Sequence, residues 1–264
     1  MVKKSNIPII LGIFAFSLDI IYLCFILFSG MIIPPIAWGA AATILGATLL
    51  NRFNLVDVSK LNRVIIATSA PIQGSNDCKK LIPKRYNENM PIGMVFCMAA
   101  GISIVFIPPA GVLLFLVAHV FHIRAFSGIM HLNPRCWFRS KLKPLSIGTV
   151  IFWSIAACVI FSFLVSNSTY PMHVTVVMAF FLLPYVFILA LVTALTWIHC
   201  GYTNRPIKFR VMLAIGATLF LISDSIIGYT IFIATSQIIM FWIYITYFLA
   251  IFFMQFSLYN LDVV

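Results

Sequence analysis

Charge is what this sequence has least of. Only 9% of its 264 residues are Asp, Glu, Lys or Arg, where a soluble domain carries roughly a quarter. Acids are scarcer still, six against seventeen Lys and Arg, for a formal net charge of +11. With 62% of residues hydrophobic, a water-soluble globule of this size is excluded, because too little polar surface exists to cover it. Short segments of alternating polarity are missing too, which argues against a membrane β-barrel. The six cysteines, Cys24, Cys78, Cys97, Cys136, Cys158 and Cys200, are scattered. No pair has close metal-ligand spacing, and neither a disulfide framework nor a zinc motif is expected.

What the chain does have is long apolar runs. Eight can be marked, at roughly 7–28, 31–50, 91–108, 109–129, 145–165, 173–198, 211–233 and 237–258. A bilayer core takes about 20 residues of helix, so the expected fold is all-α: a polytopic membrane protein, a bundle of about eight transmembrane helices. Pro108-Pro109 divides the third run from the fourth and predicts a tight turn rather than one very long helix. Residues 1–264 read as a single transmembrane domain. Residues 51–90 form its largest loop, with room for a short interfacial helix around Val56–Ile66. The first run is longer than a signal-peptide core and has no clear cleavage signature, so a retained first span is expected.

The seventeen basic residues orient the bundle. Arg124 sits at the end of run four, and the others precede run one or fall between runs two and three, four and five, and six and seven. With eight spans, all lie on one face, which the positive-inside rule makes cytoplasmic, with both termini on that side. Basic loops held against anionic headgroups explain the positive charge. No recognition element for nucleic acid accompanies it. Asn167-Ser168-Thr169 is a formal glycosylation sequon on the opposite side, in a loop too short for occupancy to be expected.

Ionisable groups inside the spans are the first places to look for chemistry, since hydrocarbon penalises them. They are Asp19, Asp224 and His119, with His122 and Arg124 nearer a rim. At about 1.5 Å per residue the first three fall near mid-membrane. Each also admits a plain structural reading, a buried polar group bonded to a neighbouring helix. Asp224 is framed by Ser223 and Ser225, which favours a polar patch there. His119 and His122 share a helix face, but a pair is a weak metal signal because a catalytic zinc wants three protein ligands. His131, His173 and His199 belong near the rims.

The stretch Gly216-Ala217-Thr218-Leu219-Phe220-Leu221-Ile222-Ser223-Asp224-Ser225 resembles the helix-seven signature of the lysoplasmalogenase-like membrane proteins. Helix four, Phe115-Leu116-Val117-Ala118-His119-Val120-Phe121, is similar to that family's Ala-His helix, with His122 where a Tyr is frequent. Tyr247-Phe248-Leu249-Ala250 is similar to its last helix. The likeness runs loosely from about 91 to 258. Two positions depart from it: Gly101 stands where the third helix carries an acid, and Ala250-Ile251 replaces an Ala-Gln pair.

The resemblance implies hydrolysis of the vinyl-ether bond of a lysoplasmalogen, a lysophospholipid substrate held in the bilayer. The products are a fatty aldehyde and a glycerophospho-ethanolamine or -choline, and neither cofactor nor metal is demanded. On that reading Asp224 does acid/base work, His119 orients it or a water, Ser223 adds a hydrogen bond, and Asp19 stands in for the missing acid. The main alternative is a non-catalytic lipid-binding or sensing protein on the same scaffold. A transporter would show two internal repeats, which the Pro and Gly positions do not form. A metal-dependent hydrolase would need a third ligand beside the two histidines.

Overall fold

A computed structural model of the chain describes residue 17 and residues 84–132, 143–202 and 206–257. Apart from residue 17, the runs at 7–28 and 31–50 lie outside the described residues, as do Asp19, the 51–83 part of the large loop, and Cys24, Cys78 and Cys136. Those described form six helices and no strand: α1 Lys84–Phe106, α2 Pro108–Phe126, α3 Lys143–Ser166, α4 Met172–Cys200, α5 Ile207–Phe232 and α6 Gln237–Phe256. The last five are each long and apolar enough to cross a membrane. The chain is a multi-pass, all-α membrane protein. Cys97, Cys158 and Cys200 are free thiols.

The six helices answer to the last six apolar runs, with one boundary well displaced. α1 begins at Lys84, inside the stretch expected to be loop up to residue 90. Packing extends it. Tyr86 and Met90, one turn apart, are fully buried, and the Tyr86 ring lies 6.3 Å from that of Phe126 at the end of α2. The turn between α1 and α2 is as tight as Pro108-Pro109 predicts. Ile107 alone separates the helices, its amide bonded to the Ser103 carbonyl at 2.7 Å, and the prolines take the first positions of α2. There a missing amide donor costs nothing, because those donors are unpaired in any helix.

Helix packing in hydrocarbon gains little from a hydrophobic drive, so close approach of backbones at small residues carries it. A Cβ placed on Gly111 would sit 2.6 Å from the Ile104 backbone, joining α1 to α2. One on Gly216 would sit 2.9 Å from the Met254 amide nitrogen and 3.0 Å from the Ala250 oxygen, joining α5 to α6. Polar ties add to this. The Trp197 indole donates to the Thr218 hydroxyl at 3.0 Å between α4 and α5, and the Arg210 guanidinium donates to the Cys200 carbonyl where those helices meet. In the α3–α4 connection the Thr169 amide donates to the Phe232 carbonyl at 2.9 Å. Asn167 of the sequon turns its amide back onto the Phe163 carbonyl at 2.8 Å.

α4 is the central element, packing on α2, α3 and α5, while α1 leans on α2 and α6 on α5. Its inward face carries Leu182, Tyr185, Leu189 and Thr193; its outward face exposes Val176, Val177, Phe180 and Phe187. α3 exposes Ile151, Phe152, Ile155 and Val159 in the same way. Such surfaces suit a bilayer and not water.

Candidate active site

Three helices bring polar side chains to one buried point. Tyr185, in the middle of α4, donates its phenolic hydrogen to Asp224 Oδ2 on α5. His119 of α2 faces the same oxygen, with Nε2 3.9 Å away. That is beyond hydrogen-bond reach. Both Asp224 Oδ1 and His119 Nε2 lack a hydrogen-bond partner among the described residues. His122 closes the row behind His119, their Nδ1 atoms 3.4 Å apart, so one ring donates and the other accepts. His119 is 1% exposed, His122 not at all and Asp224 only 6%, so these groups interact where little water screens them.

The arrangement depends on a gap. The backbones of α2 and α5 do not touch, and aromatic side chains fill the space between them. Phe220 lies one turn from Asp224 and sets its ring edge-on to His119, with centroids 5.1 Å apart and planes at 74°. It also meets Phe115 at 6.1 Å and Tyr247 of α6 at 5.5 Å. The Tyr247 hydroxyl is buried and likewise has no partner among the described residues. The face of His122 is fixed from α1: a Cβ on Gly93 would fall 2.6 Å from its ring.

A small cleft of about 20 Å³ reaches Asp224 from the other side, between α3, α4 and α5. Its walls are mostly apolar, with Ala157 and Leu164 from α3, Leu189 from α4 and Leu221 from α5 among them.

Of the residues singled out from sequence, Asp224 and His119 come together. Ser223 sits beside them in the chain but turns away, donating to the Ile243 carbonyl at 3.1 Å and tying α5 to α6. Asp19 is outside the described residues. His199 lies at the end of α4, stacked on Tyr202, and His173 is exposed near its start. Among the described residues no three His, Cys, Asp or Glu side chains are grouped to hold a metal. Sequence reading missed Tyr185 and Phe220. Tyr185 carried a signal: it follows Pro184 inside an otherwise apolar helix, where a hydroxyl beside a broken backbone hydrogen bond marks a polar spot. Phe220 carried none, being one of 25 phenylalanines.

Gly101 and Ile251, the two departures from the family pattern, are both in place on helices. Gly101 is half-buried with open space where a side chain would begin, and Ile251 is fully buried in the core. No curated protein and no solved structure matches the chain. The model of the YhhN family matches residues 83–258, a span that takes in all six helices and every residue of the buried site. The chain therefore belongs to the YhhN family, which is the lysoplasmalogenase family.

Proposed function

We propose that this chain hydrolyses the vinyl-ether bond of a lysoplasmalogen, with its basic face and both termini on the cytoplasmic side. The observation that carries the reading is Asp224: a carboxyl group enclosed in a membrane bundle, one oxygen engaged by Tyr185 and the other without a partner among the described residues. Buried polar atoms are normally satisfied, and an exception asks for a role.

A vinyl ether opens by protonation of the carbon remote from the ether oxygen, which leaves an oxocarbenium ion at the carbon that bears that oxygen. Asp224 supplies the proton. Its carboxylate, held by Tyr185, then lies beside the cation and stabilises it without reorganising. Water adds to the cationic carbon and gives up a proton to the carboxylate, with His119 orienting that water. The hemiacetal formed in this way collapses: its hydroxyl loses a proton, the bond to the glycerol oxygen breaks, and that oxygen takes a proton. One water is consumed and the acid is restored. The row from Asp224 to His122 keeps a donor and an acceptor at hand throughout.

One feature favours a second reading, a lipid-binding protein without catalysis. Asp224 and Glu88 are the acids among the described residues, and Glu88 is exposed near the start of α1. No second carboxylate among these residues joins Asp224.

The deciding measurement is aldehyde release from an alkenyl lysophospholipid by the purified chain beside Asp224→Asn. Release by the native chain alone supports the hydrolase. Release by neither, from folded protein, leaves the binding reading in its place.

A further inference from the structure

Cys97 of α1 and Tyr247 of α6 stand beside Asp224 without a role in the proton transfers. They are 0% and 6% exposed. The Cys97 thiol, the Tyr247 hydroxyl, the Tyr185 hydroxyl and the Asp224 carboxyl lie close enough to interact electrostatically, each with the other three. The helices that carry them are not all neighbours. Among the described elements α1 contacts only α2, and α6 only α5, so Cys97 and Tyr247 reach the carboxyl group through the aromatic-filled gap. Phe220 places the tyrosine there. Its ring meets Tyr247 at 5.5 Å and His119 at 5.1 Å, so both side chains stand against one phenylalanine, itself one turn from Asp224.

The shorter hydroxyls of these helices are satisfied by their own backbone. Thr193 donates to the Leu189 carbonyl, Thr218 to Ala214 and Ser225 to Leu221. A tyrosine ring carries its hydroxyl too far from the helix for that. Three of the buried polar atoms around Phe220, namely Tyr247 Oη, His119 Nε2 and Asp224 Oδ1, have no partner among the described residues. Leaving one such atom unsatisfied costs about 1–3 kcal/mol, and a buried water typically takes about three hydrogen bonds from atoms of this kind. The three also differ in kind: the phenol donates, the carboxylate oxygen accepts, and the imidazole nitrogen accepts in one tautomer.

We propose that Tyr247 is a positioning residue of the hydrolysis: with His119 and Asp224 it holds the water that adds to the oxocarbenium carbon. The assignment rests on the hydrolase reading. The phenol donates to one lone pair of the water oxygen and leaves the other for the carbon. One water hydrogen is directed at Asp224 Oδ1 and the other at His119 Nε2. As the oxygen bonds to the cationic carbon, the first hydrogen passes to Oδ1 as a proton. Its bonding pair stays on the oxygen, which becomes the hemiacetal hydroxyl. Tyr247 neither gains nor loses a proton.

The test is capture by methanol, which competes with water for the oxocarbenium ion. Methanol adds to the same carbon, gives its proton to the carboxylate and leaves a mixed acetal one methanol heavier than the substrate. The full chain in detergent is given an alkenyl lysophospholipid in aqueous methanol, and aldehyde and acetal are measured by mass spectrometry. The native chain is expected to yield mostly aldehyde. In Tyr247→Phe the acetal-to-aldehyde ratio should rise about tenfold, the weight of one hydrogen bond to the water. Cys97→Ala opens space from α1 but leaves the hydroxyl in place, and should keep the native ratio. If Tyr247→Phe does not fold, Tyr247→Met, which also lacks the hydroxyl, replaces it. A native ratio in the variant without the hydroxyl, or an equal rise in Cys97→Ala, overturns the assignment and leaves the hydrolase standing. No product of either kind from the native chain removes both.

Discussion

Tyr185 and Asp224 are 39 residues apart in the chain and share one hydrogen bond across the α4–α5 interface, with the phenol as donor and carboxyl Oδ2 as acceptor. Removing the phenolic oxygen leaves that carboxyl oxygen buried with no donor in hydrogen-bond reach among the described residues. Tyr185→Phe is therefore expected to destabilise the bundle by about 1–3 kcal/mol and to lower kcat between roughly tenfold and a hundredfold. KM should move little, since the bond is internal to the protein. Unfolding in detergent and steady-state kinetics read the two effects. A rise in KM with kcat unchanged would show that Tyr185 holds substrate instead.

Asp224→Asn keeps the shape of the side chain and removes its ability to give and take a proton. Aldehyde release should fall by about 10²–10⁴-fold, the range of general acid–base catalysis. Thermal unfolding in detergent should stay close to that of the native chain, since the side chain keeps its shape. Turnover of the Asp224→Asn variant at the native rate would leave the carboxyl group without a chemical role.

His119 and His122 should differ in weight. His119 faces the carboxyl group, whereas His122 reaches it only through His119. His119→Ala is expected to cost about a hundredfold in kcat, as for a group that positions the attacking water. His122→Ala should cost about tenfold, as for a residue that fixes its neighbour's tautomer and orientation. His122→Asn, which retains a donor and an acceptor, should recover part of that loss, and a purely space-filling role for His122 would give no such recovery.

Two glycines make opposite predictions for stability. Gly216→Ala drives a methyl group into the α6 backbone at Met254 and Ala250, which cannot yield as a side chain tip can, and should cost about 1–3 kcal/mol. Gly101→Ala meets nothing within 4 Å and should gain about 0.5–1 kcal/mol from the stiffer unfolded chain. Thermal midpoints in one detergent compare them directly. Equal shifts in the two variants would contradict the close α5–α6 approach.

The two histidines and Asp224 were legible because hydrocarbon makes any ionisable group conspicuous: against an apolar background, a single Asp is a signal that no soluble helix offers. The α1–α2 turn was legible for a similar reason, since two adjacent prolines leave few alternatives. Ser223 was read as part of the site from its place next to Asp224. Successive residues on a helix point about 100° apart, and its hydroxyl faces α6. The start of α1 at Lys84 was missed because residues 84–89 look like loop until Tyr86 packs on Phe126 of α2 and Met90 is buried.

By itself the sequence determined that this chain lives in a membrane, that its described part crosses as apolar helices, and which side chains are too polar to be there by default. Composition and run length suffice for that, because the bilayer accepts only backbone that satisfies its own hydrogen bonds. It did not determine which face of each helix turns inward. The helices are apolar on every side, so periodicity, which orients a helix in water, carries no such information here. Only the tertiary structure set α2, α4 and α5 around a gap too wide for backbone contact between α2 and α5. Packing of Phe115, Phe220 and Tyr247 into that gap brought His119, Tyr185 and Asp224 to one point.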